Sequence, residues 1–377
     1  MKVSDLTRSE IGNLPVYEPG RPIELVAREK GIPLEKICKL ASNENPLGCS
    51  PKASAAVRAH AENLALYPDN SGHDLVGRLS TVWGFGAEHF ALGAGSNELF
   101  YLLCDLFAER GREVVIGEYA FISYRIASLL AGATPVATPM PGLRHDLDAM
   151  REAVTENTRL VFLPNPNNPT GTALPRKEIK AFARSLPDHV ILCLDEAYTE
   201  YEDNEEAEGL EELVREGRPV VLTRTFSKIH GLAGLRIGYG LTTPELASLL
   251  NRVRSPFNTG TLAQAAAVAA LDDEDWIRHS RETNRAGRLQ LEAGLRALGF
   301  PMLSEAGNFL LLVTSHADAI ASALQDRGLI TRPLGGYGLP RHLRITIGSG
   351  EQNDRLLNGL MELASSFPPD KENVPSL

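Results

Sequence analysis

Short apolar runs separated by helical segments, between residues 90 and 255, constrain this chain more than any other feature. Val114–Ile116, Leu160–Leu163, Val190–Leu194 and Val220–Leu222 are strand candidates, and residues 99–108 and 178–185 are helical segments between them. Strands without polar alternation are covered on both faces, and strand–helix alternation makes a mainly parallel sheet. The expectation is an α/β fold, with a large domain over 36–255 whose central sheet is sandwiched by helices. After Pro256 the pattern changes. Residues 262–271 and 276–298 read as helices, followed by strands Phe309–Val313 and Leu343–Ile347, which predicts a smaller α+β domain over 256–365. In the last strand Leu343, Ile345 and Ile347 share one face, and Arg344 and Thr346 the other. Residues 1–35, rich in Gly and Pro, read as an arm with little regular structure, and 366–377 as a frayed tail.

With 377 residues, the chain is too long for one core to grow comfortably, so two domains are expected. A net charge of −10 with no long basic stretch argues against nucleic acid as a partner. Four scattered cysteines without a C-x-x-C pair suggest reduced thiols and a cytoplasmic setting. No signal peptide is visible, and no apolar run reaches the roughly 18 residues of a membrane span.

Several residues point to chemistry. The chain has nine lysines, most in charged segments, but Lys228 stands in Thr225-Phe226-Ser227-Lys228-Ile229-His230-Gly231, just after an apolar strand. Desolvated there, its amine would be a nucleophile; a structural or surface role is the alternative. Asp195 ends a strand, where open parallel sheets bind ligands. It could hold a metal, cap a helix or keep a pyridinium nitrogen protonated. No H-E-x-x-H motif or Cys/His cluster accompanies it, so no metal is expected. Tyr198 could reach the same pocket. Pro164-Asn165-Pro166-Asn167-Asn168-Pro169-Thr170-Gly171 is either a plain turn or a rigid backbone presenting amides at a strand end. In Gly93-Ala94-Gly95-Ser96-Asn97-Glu98, Ser96 is expected to N-cap a helix whose start could bind an anion. Arg236 offers a guanidinium to the same anion, and Arg344 could clamp a carboxylate with two hydrogen bonds. Together these parts meet the needs of one cofactor, pyridoxal 5'-phosphate (PLP): a lysine for its aldehyde, an acid for its ring nitrogen, donors for its ring oxygen and an anion hole for its phosphate.

The ordered set Leu40-Ala41-Ser42-Asn43-Glu44-Asn45-Pro46, Tyr67-Pro68-Asp69, Gly95-Ser96-Asn97-Glu98, Asn167-Asn168-Pro169-Thr170-Gly171, Asp195-Glu196-Ala197-Tyr198, Thr225-Phe226-Ser227-Lys228, Gly231-Leu232-Ala233-Gly234-Leu235-Arg236 and Leu343-Arg344-Ile345-Thr346-Ile347-Gly348 resembles the fold-type I PLP-dependent aminotransferases, and within them the histidinol-phosphate aminotransferases. The resemblance implies that Lys228 bonds the cofactor and later shuttles a proton, and that Asp195 pairs with the ring nitrogen. It implies that Asn168 and Tyr198 hold the ring oxygen and that Phe121 stacks on the ring. Ser96, Asn97, Thr225, Ser227 and Arg236 would hold the phosphate, joined by Tyr67 from a neighbouring subunit, so a homodimer is implied. Tyr17, Asn168, Asn308, Arg332 and Arg344 would face the substrate, with Arg344 on its carboxylate. Where some members carry a phosphate-binding Tyr, this chain has Phe257, and Arg332-Pro333-Leu334-Gly335-Gly336-Tyr337-Gly338-Leu339-Pro340 also resembles relatives that accept aromatic amino acids. The implied reaction moves an amino group between L-histidinol phosphate and 2-oxoglutarate, in histidine biosynthesis. An aromatic amino acid aminotransferase and a phosphothreonine-type decarboxylase are rivals on the same chemistry. A non-catalytic PLP-sensing module would need a helix-turn-helix domain, which residues 1–35 are too short to supply.

Overall fold

The protein is described by a computed structural model covering residues 2–8, 11–12, 14–16, 19–62, 64–202 and 209–370. Its strands, in chain order, are β1 (Cys38–Lys39), β2 (Phe90–Gly93), β3 (Glu113–Gly117), β4 (Thr134–Thr138), β5 (Thr158–Pro164), β6 (Ile191–Asp195) and β7 (Val220–Thr225). They continue with β8 (Gly238–Thr242), β9 (Met302–Leu303), β10 (Phe309–Val313), β11 (Leu329–Ile330), β12 (Arg332–Leu334) and β13 (Leu339–Thr346). Seven form one sheet in the order β2-β8-β7-β6-β5-β3-β4. β8 is antiparallel to both its neighbours, and the other adjacent pairs are parallel. The fold is therefore α/β with a mostly parallel central sheet, as the apolar runs predict.

The absence of polar alternation has its expected cause. Leu192 and Leu194 pack with Val161, Leu163 and Leu222 on one face, while Ile191 and Cys193 pack with Leu160, Phe162 and Val221 on the other. Each fully buried Leu or Phe stabilises the sheet by roughly 1.5–3 kcal/mol. Truncating Phe162 to Ala, between the sheet and Tyr124, would cost about 3–5 kcal/mol.

Three strands of this sheet, β2, β4 and β8, lie outside the predicted apolar runs, and the last two show why. β4 is Thr134-Pro135-Val136-Ala137-Thr138, an edge strand half open to solvent, where Pro and Thr are tolerated. β8 is Gly238-Tyr239-Gly240-Leu241-Thr242, and its glycine is there for contact, because a Cβ on Gly238 would lie 2.5 Å from the Ser96 amide nitrogen. The bare backbone lets the helix Ser96–Phe107 start directly on the sheet.

β12, β13, β10 and β9 form a second, antiparallel sheet. Leu343, Ile345 and Ile347 enter its core with Leu310, Leu312, Leu356 and Leu360, whereas Arg344 and Thr346 point away. Packing does not divide the chain at 255/256. The helix Thr261–Leu271 buries Ala263, Ala266, Ala267 and Ala270 in the large sheet's core, because its small side chains let it lie close to the helix Pro51–His60. Cys38 and Leu40 join the second core instead, through β1 paired with β11. The arm, expected to hold little regular structure, carries one helix, Ile23–Lys30, which buries Val26 and stops at Gly31, at φ 64°. Its neighbourhood is tied to the second unit by Arg21–Gln325 and Lys30–Asp326 contacts. The tail's last residues, 371–377, lie outside the described residues. No described helix is long and apolar enough to cross a membrane.

Candidate active site

A cleft opens at the carboxyl ends of β5, β6 and β7, where parallel strands leave their loops free. Asp195, the last residue of β6, is buried at its floor. Its Oδ2 accepts from the Tyr124 hydroxyl at 2.7 Å, and Oδ1 from the Ala197 amide at 3.2 Å and the Thr223 hydroxyl at 3.3 Å. No cation among the described residues pairs with it, so burial pushes its carboxyl up to about 6, against the lowering effect of those donors.

Lys228 follows β7 by one short turn. It is half-buried, its Nζ donates to the Ser42 carbonyl at 3.2 Å, and it lies 5.4 Å from the centre of the Tyr198 ring. Tyr198 is buried and accepts from Asn43 Nδ2 at 3.1 Å; burial raises its phenol's pKa, partly countered by the nearby Arg344 charge.

The Asn-Pro segment after β5 is more than a plain turn. Asn165 bonds Leu174 through both side-chain ends, and Asn167 donates to Thr170 at 2.7 Å and to the Tyr119 carbonyl. Two of the three asparagines lock the loop, and the third, Asn168, is left facing the cleft. Its Oδ1 accepts from Arg344.

At the far end, the helix Ser96–Phe107 points its start into the cleft. Its N-cap is Gly95, not Ser96 as expected, and no side chain caps it. Gly95 adopts φ 80°, and Arg236 fills the space a side chain would occupy there. The amides of Ser96 and Asn97 belong to the first turn, which has no intrahelical acceptors, and so remain available to an anion. Arg236 is held beside them by Ser227 Oγ and the Ala94 and Ala233 carbonyls at 3.2–3.3 Å, with no carboxylate partner among the described residues. Thr225 and Ser227 line the same end, and Phe121 lines the cleft near its middle.

The opposite wall carries Arg344 and Arg332, which face each other across β13 and β12. Arg344 donates to the Ala41 carbonyl at 2.7 Å, and Arg332 to the Pro19 carbonyl at 3.0 Å. Twelve expected site residues thus meet in one cleft: Ser96, Asn97, Phe121, Asn168, Asp195, Tyr198, Thr225, Ser227, Lys228, Arg236, Arg332 and Arg344. Three do not. Asn308 is buried behind the wall, donating to the Asn43 carbonyl at 3.0 Å. Tyr67 lies on the surface, 82% exposed, stacked on Phe257 with ring centres 4.6 Å apart. Tyr17 lies outside the described residues. His230, two residues past Lys228, is buried against Phe226, and burial lowers its pKa to about 4.

Sequence reasoning missed Asn43, Tyr124 and Tyr337. Asn43 sits at φ 55° and bonds both Tyr198 and Thr346, so it ties cleft to wall; Asn is among the few side chains that enter this backbone region readily. Tyr124 follows Phe121 by three residues on the helix Ile122–Ala131, and that i, i+3 spacing was the available signal. No group of three or more metal-ligating side chains occurs among the described residues.

The donor set suits PLP. A buried acid with no ion-pair partner among the described residues lies at the floor, a lysine amine stands over an aromatic ring, and an uncapped helix start with an arginine forms an anion hole.

Comparison with known proteins agrees. The profile of the family "Aminotransferase class I and II" matches residues 35–360. A curated histidinol-phosphate aminotransferase of Dechloromonas aromatica is 45% identical over 96% of this chain and 99% of its own length. One of Methylococcus capsulatus is 45% identical over 94% and 97%. The crystal structure of histidinol-phosphate aminotransferase from Sinorhizobium meliloti, in complex with pyridoxal-5'-phosphate, aligns with a TM-score of 0.88 at 31% identity, over 96% of this chain and 98% of that one. A Thermus thermophilus aspartate aminotransferase shares the fold, with a TM-score of 0.81 at 22% identity. The chain belongs to the class I and II aminotransferases, in the histidinol-phosphate aminotransferase branch.

Proposed function

We propose that this protein is a PLP-dependent histidinol-phosphate aminotransferase, exchanging the amino group of L-histidinol phosphate with 2-oxoglutarate in histidine biosynthesis. The observation that carries the reading is a cleft with a basic pole at each end and a lysine amine between them. One pole, Arg236 with the Ser96 helix start, suits the cofactor's phosphate. The other, Arg332 with Arg344, suits an anionic substrate.

Bound PLP supplies a ring that takes up the electron pair left at the substrate's α-carbon and carries the amino group between substrates. In this reading Lys228 would hold the cofactor's aldehyde, and its Nζ would hold and return the proton of the substrate's α-carbon. Asp195 would accept from the ring nitrogen, and Asn168 and Tyr198 would donate to the ring oxygen. Phe121 covers the ring face, and Thr225 and Ser227 complete the phosphate hole. Arg344 binds the carboxylate of glutamate or 2-oxoglutarate. Arg332 and Tyr17 add to the phosphate of histidinol phosphate, and Asn308 acts through Asn43 by supporting the wall. Exposed Tyr67 suits a homodimer in which each subunit lends this tyrosine to the other's phosphate hole. The protein is read as cytoplasmic.

Tyr337, which lines the cleft without adding charge, favours a second reading, an aromatic amino acid aminotransferase. A single-turnover assay separates the two. L-histidinol phosphate and L-phenylalanine are offered separately to the PLP-loaded protein, and the cofactor's absorbance is followed. Faster turnover with histidinol phosphate is expected; faster turnover with phenylalanine moves the enzyme to the aromatic branch.

A further inference from the structure

Asp195 is held by donors of unequal quality. The two bonds to Oδ1 are 3.2 and 3.3 Å long, whereas the Tyr124 hydroxyl reaches Oδ2 at 2.7 Å, the length of a strong O–H···O bond. Tyr124 is fully buried, and its ring has nowhere to turn. It stacks on Phe162 with ring centres 4.7 Å apart and planes 9° apart, and it meets Phe100 edge-on at 4.9 Å and Phe121 at 5.9 Å. Phe121 and Tyr124 are one helical turn apart, so a single turn presents one aromatic to the cleft and aims the other at the buried acid.

We infer that Tyr124 is a positioning residue for Asp195, fixing one carboxylate oxygen in the plane and ionisation state that pairing with a cofactor ring nitrogen requires. The inference rests on the PLP reading above and adds to it a residue outside the cleft's lining. A carboxylate oxygen has two acceptor directions, and the Tyr124 bond occupies one of those on Oδ2. The remaining direction is left for a donor entering from the cleft. The titratable groups around Asp195 are Tyr124, Cys193 and Glu196 beside it, Tyr198 on the following turn and Lys228 across the cleft. Burial raises Cys193, Tyr124 and Tyr198, so these three stay neutral near pH 7, and Glu196 is bonded to Arg224 at 2.9 Å. Tyr124 therefore stays a donor throughout the range in which Asp195 titrates.

Replacing Tyr124 by Phe keeps the stacked ring and removes only the hydroxyl. Two readouts follow, neither of which is turnover. In the protein without PLP, infrared difference spectra across pH, with Asp195→Asn to identify the band, report the protonation of Asp195. The expected midpoint in Tyr124→Phe lies about one to two pH units above that of the wild type, the equivalent of one charge-assisted hydrogen bond. In the loaded protein, the nitrogen-15 shift of labelled PLP reports whether its ring nitrogen is protonated. A shift toward the unprotonated value at pH 8 is expected for Tyr124→Phe. Unchanged values of both would overturn the inference while leaving PLP binding intact, and a wild type that binds no PLP would overturn the cofactor reading itself. If Tyr124→Phe does not fold, 3-fluorotyrosine placed at position 124 is the second variant. Its stronger donor should lower the Asp195 midpoint, and no change there sinks the idea.

Discussion

The floor and the wall of the cleft are built differently. At the floor, Asp195, Thr225 and Lys228 stand at, or just past, the ends of β6 and β7, central strands whose side chains are buried on both faces. At the wall, Arg332 and Arg344 stand on a short hairpin of the second sheet, and their partners include carbonyls and an amide from distant stretches: Pro19, Ala41 and Asn168. The floor groups are positioned by a core that exists without any ligand. The wall groups are positioned by contacts from distant parts of the chain. Chemistry common to all substrates belongs on the floor, and discrimination between substrates on the wall.

The sharpest way to break that comparison is to remove Lys228. Lys228→Ala should lower single-turnover rates with histidinol phosphate and with glutamate by about 10⁴-fold or more, since nucleophile and proton carrier are lost together. A loss confined to one substrate would place Lys228 with the wall.

Asp195→Asn should also slow both half-reactions, by roughly 10²–10⁴-fold. It has a second, opposite signature in the protein without cofactor. Burial raises the Asp195 pKa from 3.8 to about 6, so its protonated form is the one the fold favours. That stability is fully present below pH 3.8 and is lost as pH rises through about 6. Above that, the native state carries a cost on the order of 3 kcal/mol for an ionised, buried group. Urea unfolding of the apoprotein between pH 4 and 8 should therefore show Asp195→Asn gaining stability relative to wild type as pH rises. A constant difference would mean the carboxylate is not strained by burial.

This division also explains what the sequence made legible. The floor could be read because strand ends carry their own signals: an apolar run closed by Asp195, and another followed by Thr225-Phe226-Ser227-Lys228. The wall's arginines were legible as residues of Leu343–Ile347 and its neighbour, since strand alternation put Arg344 opposite the core. Their partners were not, because contacts such as Arg344 with Ala41 join residues three hundred positions apart and leave no periodicity. Asn43 and Tyr124 escaped for the same reason: each acts through a residue far along the chain. The Ser96 cap failed on a local point, because Gly95 at φ 80° ends the loop one residue earlier than a Ser cap would.

At the wall, Arg344→Ala should raise KM for both glutamate and histidinol phosphate by about 10–100-fold with little change in the cofactor's affinity. Arg332→Ala should raise it mainly for the phosphate substrate. Arg344→Lys should recover little, because an ammonium cannot reproduce a two-bond fork. Equal losses from both arginines on both substrates would merge them into one anion site.

The smallest effect sharpens the comparison most, because it tests whether a second copy completes the wall. Phe257 is 41% exposed, at φ 58°, and stacks on Tyr67 in a surface pair that touches nothing in its own cleft. The amide of Phe257 donates to Asn70 at 2.7 Å and Arg254 also bonds Asn70, so the pair is held where it is. Phe257→Tyr keeps the ring, the stack and the backbone angle and adds one hydroxyl. If the pair reaches a partner's substrate phosphate, kcat/KM for histidinol phosphate should rise by roughly 2–10-fold, the worth of one added hydrogen bond, and glutamate should be unaffected. The companion change Tyr67→Phe should weaken PLP binding by a similar factor. Neither effect would appear if the pair stayed on the surface of a monomer, so sedimentation of the wild type alongside these assays distinguishes a lent hydroxyl from a bare aromatic patch.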